Sequence, residues 1–134
     1  MPYPNEILEK ILSKLKNNGV FIGSVPNYNS LGRCLFRKYW SGYQIPRHQY
    51  FFCKDTLNKI LLNNGYKNIK LKVGFDPGEF PVSLLNIIQN YLKIKANPRK
   101  NKLYIIFIIT FLPISYFIYL IGLSGTIKFK AFKW

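Results

Sequence analysis

Acid is what this chain has least of. Its 134 residues carry 5 Asp or Glu against 20 Lys or Arg, a formal net charge of +15. No acidic residue follows Glu79. Asp76 and Glu79 lie three apart in a Pro/Gly segment, where a turn role is expected rather than catalysis. Histidine is limited to His48, with no carboxylate pair near it, so no Ser/His/Asp arrangement is visible. Two cysteines, Cys34 and Cys53, make neither a disulfide framework nor a metal-ligand spacing. Both are expected to be reduced and structural, in keeping with a cytoplasmic face. Gly19, Gly23 and Gly32 lack the G-x-G-x-x-G spacing of a phosphate-cradling loop. Internal repeats and low-complexity tracts are absent too.

What the chain does have is a long uncharged run. Residues 103–123, LYIIFIITFLPISYFIYLIGL, hold no charge across 21 positions, enough for a helix to cross the roughly 30 Å hydrocarbon layer. Pro113, near the middle, predicts a kink and a freed carbonyl. Lys93, Lys95, Arg99, Lys100 and Lys102 precede the run, and Lys128, Lys130 and Lys133 follow it. Such flanks attract anionic lipid head groups. Nucleic acid is the competing partner for so basic a chain; the apolar neighbour favours membrane lipid, with no nucleic acid. Charge is basic on both sides, so the positive-inside rule gives no orientation. A crossing helix and a hairpin folded at Pro113 both remain open. The expected location is membrane-associated, on the cytoplasmic face.

Periodicity predicts an α/β chain. Residues 5–16 place Ile7, Leu8, Ile11, Leu12 and Leu15 on one helical face, with Asn5 as cap and Gly19 near the stop. VFIGSV, residues 20–25, reads as a short strand buried on both faces. A short helix near 31–38 lies in the loop that follows. KDTLNKILLNN, residues 54–64, predicts a helix stopped by Gly65. NIKLKV, residues 68–73, alternates Ile69, Leu71 and Val73 with lysines, as a half-exposed strand does. Residues 83–94 predict an amphipathic helix, and residues 126–134 a last alternating strand. Strand 20–25 has only two possible partners here, so its open edge needs a cover that this chain does not supply.

The loop over 26–52, PNYNSLGRCLFRKYWSGYQIPRHQYFF, carries what chemistry the chain can offer. His48 is the one side chain able to act as a base near neutral pH. Arg47 is suited to an anion, and Tyr39, Trp40, Tyr43 and Tyr50 to walling a pocket. Chemistry alone favours a blander role, with aromatics packed on the sheet and bases turned outward.

The order of the parts resembles one family. A helix is followed by a short strand ending in Pro-Asn, then N-S-L, then Y-W-x-G-Y-x-x-P-R-H-x-x-x-F. A T-L-x-x-x-L helix ending in N-G-Y completes the pattern. This resembles the C-terminal half of class I S-adenosylmethionine-dependent methyltransferases, specifically the bacterial and archaeal set that modifies sugars, lipids or cell-surface glycans. The resemblance spans about residues 4–73 and 126–133, with 26–65 its specific part. It implies the C-terminal part of a Rossmann-like seven-stranded sheet. Residues 20–25, 68–73 and 126–133 would be strands five, six and seven, the last running antiparallel between the others. The apolar segment would be a hydrophobic helical insertion before the last strand. The implied division is a partial methyltransferase domain at 1–82 and 124–134, with 83–123 an amphipathic helix plus a membrane-associated insertion.

The resemblance also assigns roles. The expected activity is methyl transfer from S-adenosylmethionine to an oxygen or nitrogen of a small-molecule, sugar or lipid acceptor. His48 is the candidate base. Asn27, Tyr28 and Asn29, at the carboxyl end of a strand, are expected to contact the acceptor, with Tyr39, Trp40, Tyr43 and Arg47 around it. The family's cofactor motifs are a glycine-rich loop, an acid ending the second strand and a motif after the fourth, and none is present. Cofactor-binding residues and metal ligands are therefore expected to be none in this chain. Met1-Pro2-Tyr3-Pro4 stands where the family has Glu-His, two residues and Pro. A separately encoded N-terminal half, or a truncated gene, is accordingly expected. Cys53 replaces a frequent capping Ser, which weakens that cap by up to about 1 kcal/mol. The alternatives are a small membrane-anchored basic protein without enzymatic activity and a non-functional remnant.

Overall fold

The computed structural model describes residues 3–44 and 48–134. Helix α1 spans Pro4–Lys14, strand β1 Val20–Pro26, helix α2 Leu31–Phe36 and helix α3 Lys54–Asn63. Strand β2 spans Lys67–Gly74, helix α4 Glu79–Tyr91, helix α5 Leu103–Leu120 and strand β3 Thr126–Phe132. Short 3-10 turns lie at Arg37–Tyr39, Ser41–Tyr43 and Pro98–Lys100.

The sheet order is β1-β3-β2, with β3 antiparallel to both neighbours. Hence β1 and β2 point the same way, and the strand last in sequence is central. This is the arrangement expected for 20–25, 68–73 and 126–133. The chain is thus mixed α/β, with a three-stranded sheet; a seven-stranded sheet is not seen.

Helices α1 and α3 cover one face of that sheet. Leu57, Leu61, Tyr66, Ile127, Phe129 and Ala131 form the buried centre, with Leu8, Leu12, Phe21 and Leu71 packed around it. Alternation on β2 and β3 puts Ile69, Leu71, Val73, Ile127 and Phe129 on this side and lysines on the other. Tyr66 ties the layers by donating its hydroxyl to the Leu8 carbonyl at 2.9 Å. Gly65, at φ +85°, turns the chain after α3 as only a residue without Cβ does easily.

Three local expectations change. β1 is not buried on both faces: it is an edge strand, and Ile22 is 61% exposed. Its continuous apolar run looks like a central strand, but only β3 pairs with it among the described residues. Asn5 is not the cap of α1: Tyr3 holds that position, Pro4 opens the helix, and the Asn5 Oδ1 accepts from Asn64 Nδ2 at 3.0 Å. Proline's fixed φ suits the first helical position, which moves the start one residue back. Finally, 103–120 is one helix running through Pro113, so the hairpin folded there is excluded.

Helices α4 and α5 pack together beyond the carboxyl ends of β1 and β2. Trp40, Phe80, Val82, Leu85 and Ile118 are buried there. α4 starts four residues earlier than periodicity predicts, at Glu79, because the Asp76–Gly78 turn feeds directly into it: Asp76 Oδ1 accepts from the Gly78 amide at 3.1 Å.

Candidate functional site

The carboxyl end of β1 is held by Asn27. Its amide donates to the Gly125 carbonyl at 2.8 Å, and its Nδ2 donates to the Ser124 carbonyl at 2.9 Å. Its Oδ1 accepts from the Asn29 amide at 3.1 Å. Asn27 is 4% exposed, so its polar atoms are spent on joining the β1 turn to the start of β3. Tyr28 donates its amide to the Phe52 carbonyl at 2.9 Å, and the Arg33 guanidinium sits 4.0 Å over its ring. Asn27, Tyr28 and Asn29 therefore shape the turn from which the aromatic loop departs.

That loop is fastened along one stripe of α4. Trp40 Nε1 donates to Glu79 Oε1 at 2.9 Å, and the Ser41 amide donates to Ser83 Oγ at 2.9 Å. Asn86 Nδ2 donates to the Tyr39 carbonyl at 3.0 Å, and Asn90 Nδ2 donates to the Tyr39 hydroxyl at 3.0 Å. Residues 79, 83, 86 and 90 are spaced as neighbours on one helical face. Trp40, 1% exposed, meets Tyr43 edge-to-face at 5.1 Å, and Tyr43 meets Phe51 at 5.2 Å.

Glu79 is the hub of this region. It is 1% exposed, and burial pushes its carboxyl above the usual carboxylate range. Bonds from Ser30, Trp40 and the Gly125 amide pull the other way, while the Asp76 charge adds to the rise. Gly32 and Gly125 make room for it: a Cβ on Gly125 would lie 2.6 Å from the Glu79 carboxyl carbon, and one on Gly32 would meet the same group. The turn role expected for Asp76 and Glu79 thus holds for Asp76 alone. Asp76 Oδ2 also accepts from Thr126 Oγ1 at 3.2 Å, which ties β2 to β3 at this end.

Two adjoining clefts result. One, of about 370 Å³, gathers His48, Asp76, Arg99 and Thr126 around Ser24–Pro26, at the carboxyl end of β1. The other, of about 450 Å³, is walled by Tyr39, Trp40 and Tyr43 and floored by Val82 and Asn86. Ser41, Gln44 and Arg99 line both. The structure brings His48 to a strand end and sets the three aromatics beside it, whereas Asn27, Tyr28 and Asn29 line neither cleft. Arg47 lies outside the described residues. Arg99 and Asp76 line the cleft with His48, which the sequence does not predict. In the sequence Arg99 reads as part of the basic flank of the apolar run, and its place at the cleft depends on the path of 92–102. Glu79 did leave a signal, in polar residues repeating at helical spacing along an otherwise apolar α4.

A methyl donor such as S-adenosylmethionine does not fit these residues: the glycines lining the His48 cleft, Gly42, Gly78 and Gly125, come from three separate segments and form no glycine-rich loop of the kind the resemblance leads one to expect.

No protein-family model matches the sequence, and no curated protein matches it. Among solved structures the chain is similar to Phospholethanolamine N-methyltransferase 2 of Haemonchus contortus, solved with phosphomonomethylethanolamine and S-adenosylhomocysteine. The TM-score is 0.51 at 15% identity, and the match covers 99% of this chain. The chain spans 30% of the length of that methyltransferase. The likeness lies in the fold alone: the chain is similar in shape to part of that structure.

Proposed function

We propose that this chain forms the acceptor side of an S-adenosylmethionine-dependent methyltransferase. The observation that carries the reading is the cleft at the carboxyl end of β1. There His48 and Arg99 line one cleft beside an aromatic wall, on a sheet whose reversed strand lies between two co-directional ones. Open α/β sheets hold ligands outside the carboxyl ends of their strands.

The acceptor carries an acid group and a nucleophilic oxygen or nitrogen. Arg99 holds the acid group, and Tyr39, Trp40 and Tyr43 enclose the body of the molecule. His48 takes the proton from the acceptor O–H or N–H onto a ring nitrogen, leaving the electron pair free to attack. S-adenosylmethionine supplies an activated methyl group, so holding the acceptor in line is most of what remains to be done. The residues that bind this donor lie outside the chain described. The phosphate-bearing amine in the Haemonchus contortus complex belongs to the same charge class.

Two measurements test the reading. Calorimetric titration of the purified chain with S-adenosylmethionine should show no saturable binding; tight binding would overturn the division of labour. Co-expression with the reading frame directly upstream should yield transfer of labelled methyl to small acidic acceptors. His48→Ala should then lower kcat by about 10²-fold or more, and Arg99→Ala should raise KM. Full turnover by His48→Ala would remove the base, and absence of any transfer would remove the activity.

A further inference from the structure

The face of the sheet turned away from α1 and α3 is bare, and it is lysine-rich. Lys70 faces Lys130 across the ladder, and Lys72 faces Lys128. All four are exposed. Like charges placed opposite one another destabilise a sheet, so this arrangement is unfavourable unless an anion covers it. The chain's acids lie elsewhere: Glu6 and Glu9 on α1, Asp55 on α3, Asp76 and Glu79 at the turn into α4. The lysines line a cleft of about 840 Å³ whose far wall is Phe75 and Tyr119. Tyr119 belongs to α5, and Phe75 meets it at 5.8 Å and Tyr116 at 6.1 Å. The lysine face is therefore continuous with α5.

Helix α5 is apolar on every side, yet only Ser115 and Ile118 are buried. Its open side shows Ile105, Ile109, Leu112, Tyr116 and Leu120, spaced as one stripe. A core helix of this composition would be covered. A crossing helix would carry its two ends to opposite sides of the bilayer. Here α5 packs on α4 through Phe80 and Phe111, and the chain then returns to the middle of the sheet as β3.

We propose that the lysine face and the open side of α5 together form a docking surface for an anionic lipid bilayer. α5 lies in the plane of the interface with its apolar stripe among the acyl chains, and the four lysines hold lipid phosphates alongside. Charge and apolarity select this occupant. A second copy paired face to face would set lysines against lysines. Nucleic acid would satisfy the lysines but leave the stripe in water. The proposal stands apart from methyl transfer and is tested without it.

The test is flotation of the full chain with vesicles of phosphatidylcholine, with or without about one third phosphatidylglycerol. Binding should require the anionic lipid and fall with salt. Each lysine near the surface contributes about fivefold to partitioning. K70Q/K72Q/K128Q/K130Q should therefore weaken it by more than about 20-fold, allowing for non-additivity. K10Q/K14Q/K54Q/K59Q, with the same change of net charge on α1 and α3, should weaken it by less than about threefold. Ile109→Asp should weaken binding without changing its salt dependence. Should the quadruple variant fail to fold, Lys128→Gln alone carries the comparison. Equal binding to neutral vesicles, equal losses in the two quadruple variants, or a single-stranded oligonucleotide that binds through the same lysines while vesicle binding stays unmoved would each overturn the proposal.

Discussion

Replacing Glu79 tests whether one buried carboxyl organises the candidate site. Glu79→Ala leaves Trp40 Nε1, the Ser30 hydroxyl and the Gly125 amide facing a void. A hydrogen bond to an ionisable group contributes about 1.5–3 kcal/mol, and a buried donor left alone costs about as much again in the worst case. The space beside Gly32 and Gly125 adds a cavity term. Together these give a loss of about 3–4 kcal/mol, or about 12 °C in Tm for a chain of this size. Glu79→Gln keeps the shape and an acceptor for Trp40, and should lose far less. The pH dependence has a definite sign. Burial raises the folded-state pKa of Glu79, so the native state favours its protonated form. That contribution is complete below the ordinary carboxylate range and fades as pH rises through the raised value. Wild type should accordingly lose ground to Glu79→Gln as pH rises from the ordinary carboxylate range through that raised value. Thermal melts followed by Trp40 fluorescence in a Trp134→Phe background give the readout, since Trp134 is 70% exposed and Trp40 is 1% exposed. A loss below about 1 kcal/mol for Glu79→Ala, or a pH-independent gap between wild type and Glu79→Gln, would refute the role of hub.

Four other outcomes can be measured. Cys53→Ser should stabilise α3 by up to about 1 kcal/mol in chemical denaturation: Thr56 Oγ1 already accepts from the Cys53 amide at 3.0 Å, and the Cys53 sulfur that completes the box is a weaker acceptor than a hydroxyl oxygen. Lys128→Glu, opposite Lys72, should raise stability by about 0.2–1 kcal/mol while reducing vesicle binding. Pro113→Ala should slow hydrogen exchange over 109–117, because the exposed Pro113 removes one backbone bond from α5. Ile22→Lys should reduce self-association with a stability change under about 0.5 kcal/mol, because Ile22 stands 61% exposed on an edge strand.

Much of the sheet was legible because its alternation is strong. Ile69-Leu71-Val73 and Ile127-Phe129-Ala131 each announce a strand with one wet face. Its order came from the resemblance, since periodicity cannot say that residues 126–132 enter between two earlier strands. β1 misled for a physical reason: apolar residues on both sides look the same in a central strand and in an edge strand whose second face is open. The site was partly legible. His48 and the aromatics stand out by type in a basic loop. Glu79 reads as a turn residue because Pro77 and Gly78 precede it, and only the α4 stripe at 83, 86 and 90 shows that its side chain points into the protein. Arg99 reaches the site through an irregular connection, and irregular connections leave no period to read.

The central place of β3 has a consequence for synthesis. β1 and β2 leave the ribosome well before the strand that pairs with both, and until then neither has a neighbour among the described residues. The apolar α5 emerges in between. Pairing that waits for distant segments is slow and leaves apolar edges open. During that interval the nascent chain holds two unpaired strands and an uncovered hydrophobic helix at once, so chaperone dependence should be set by the time taken to translate residues 75–132.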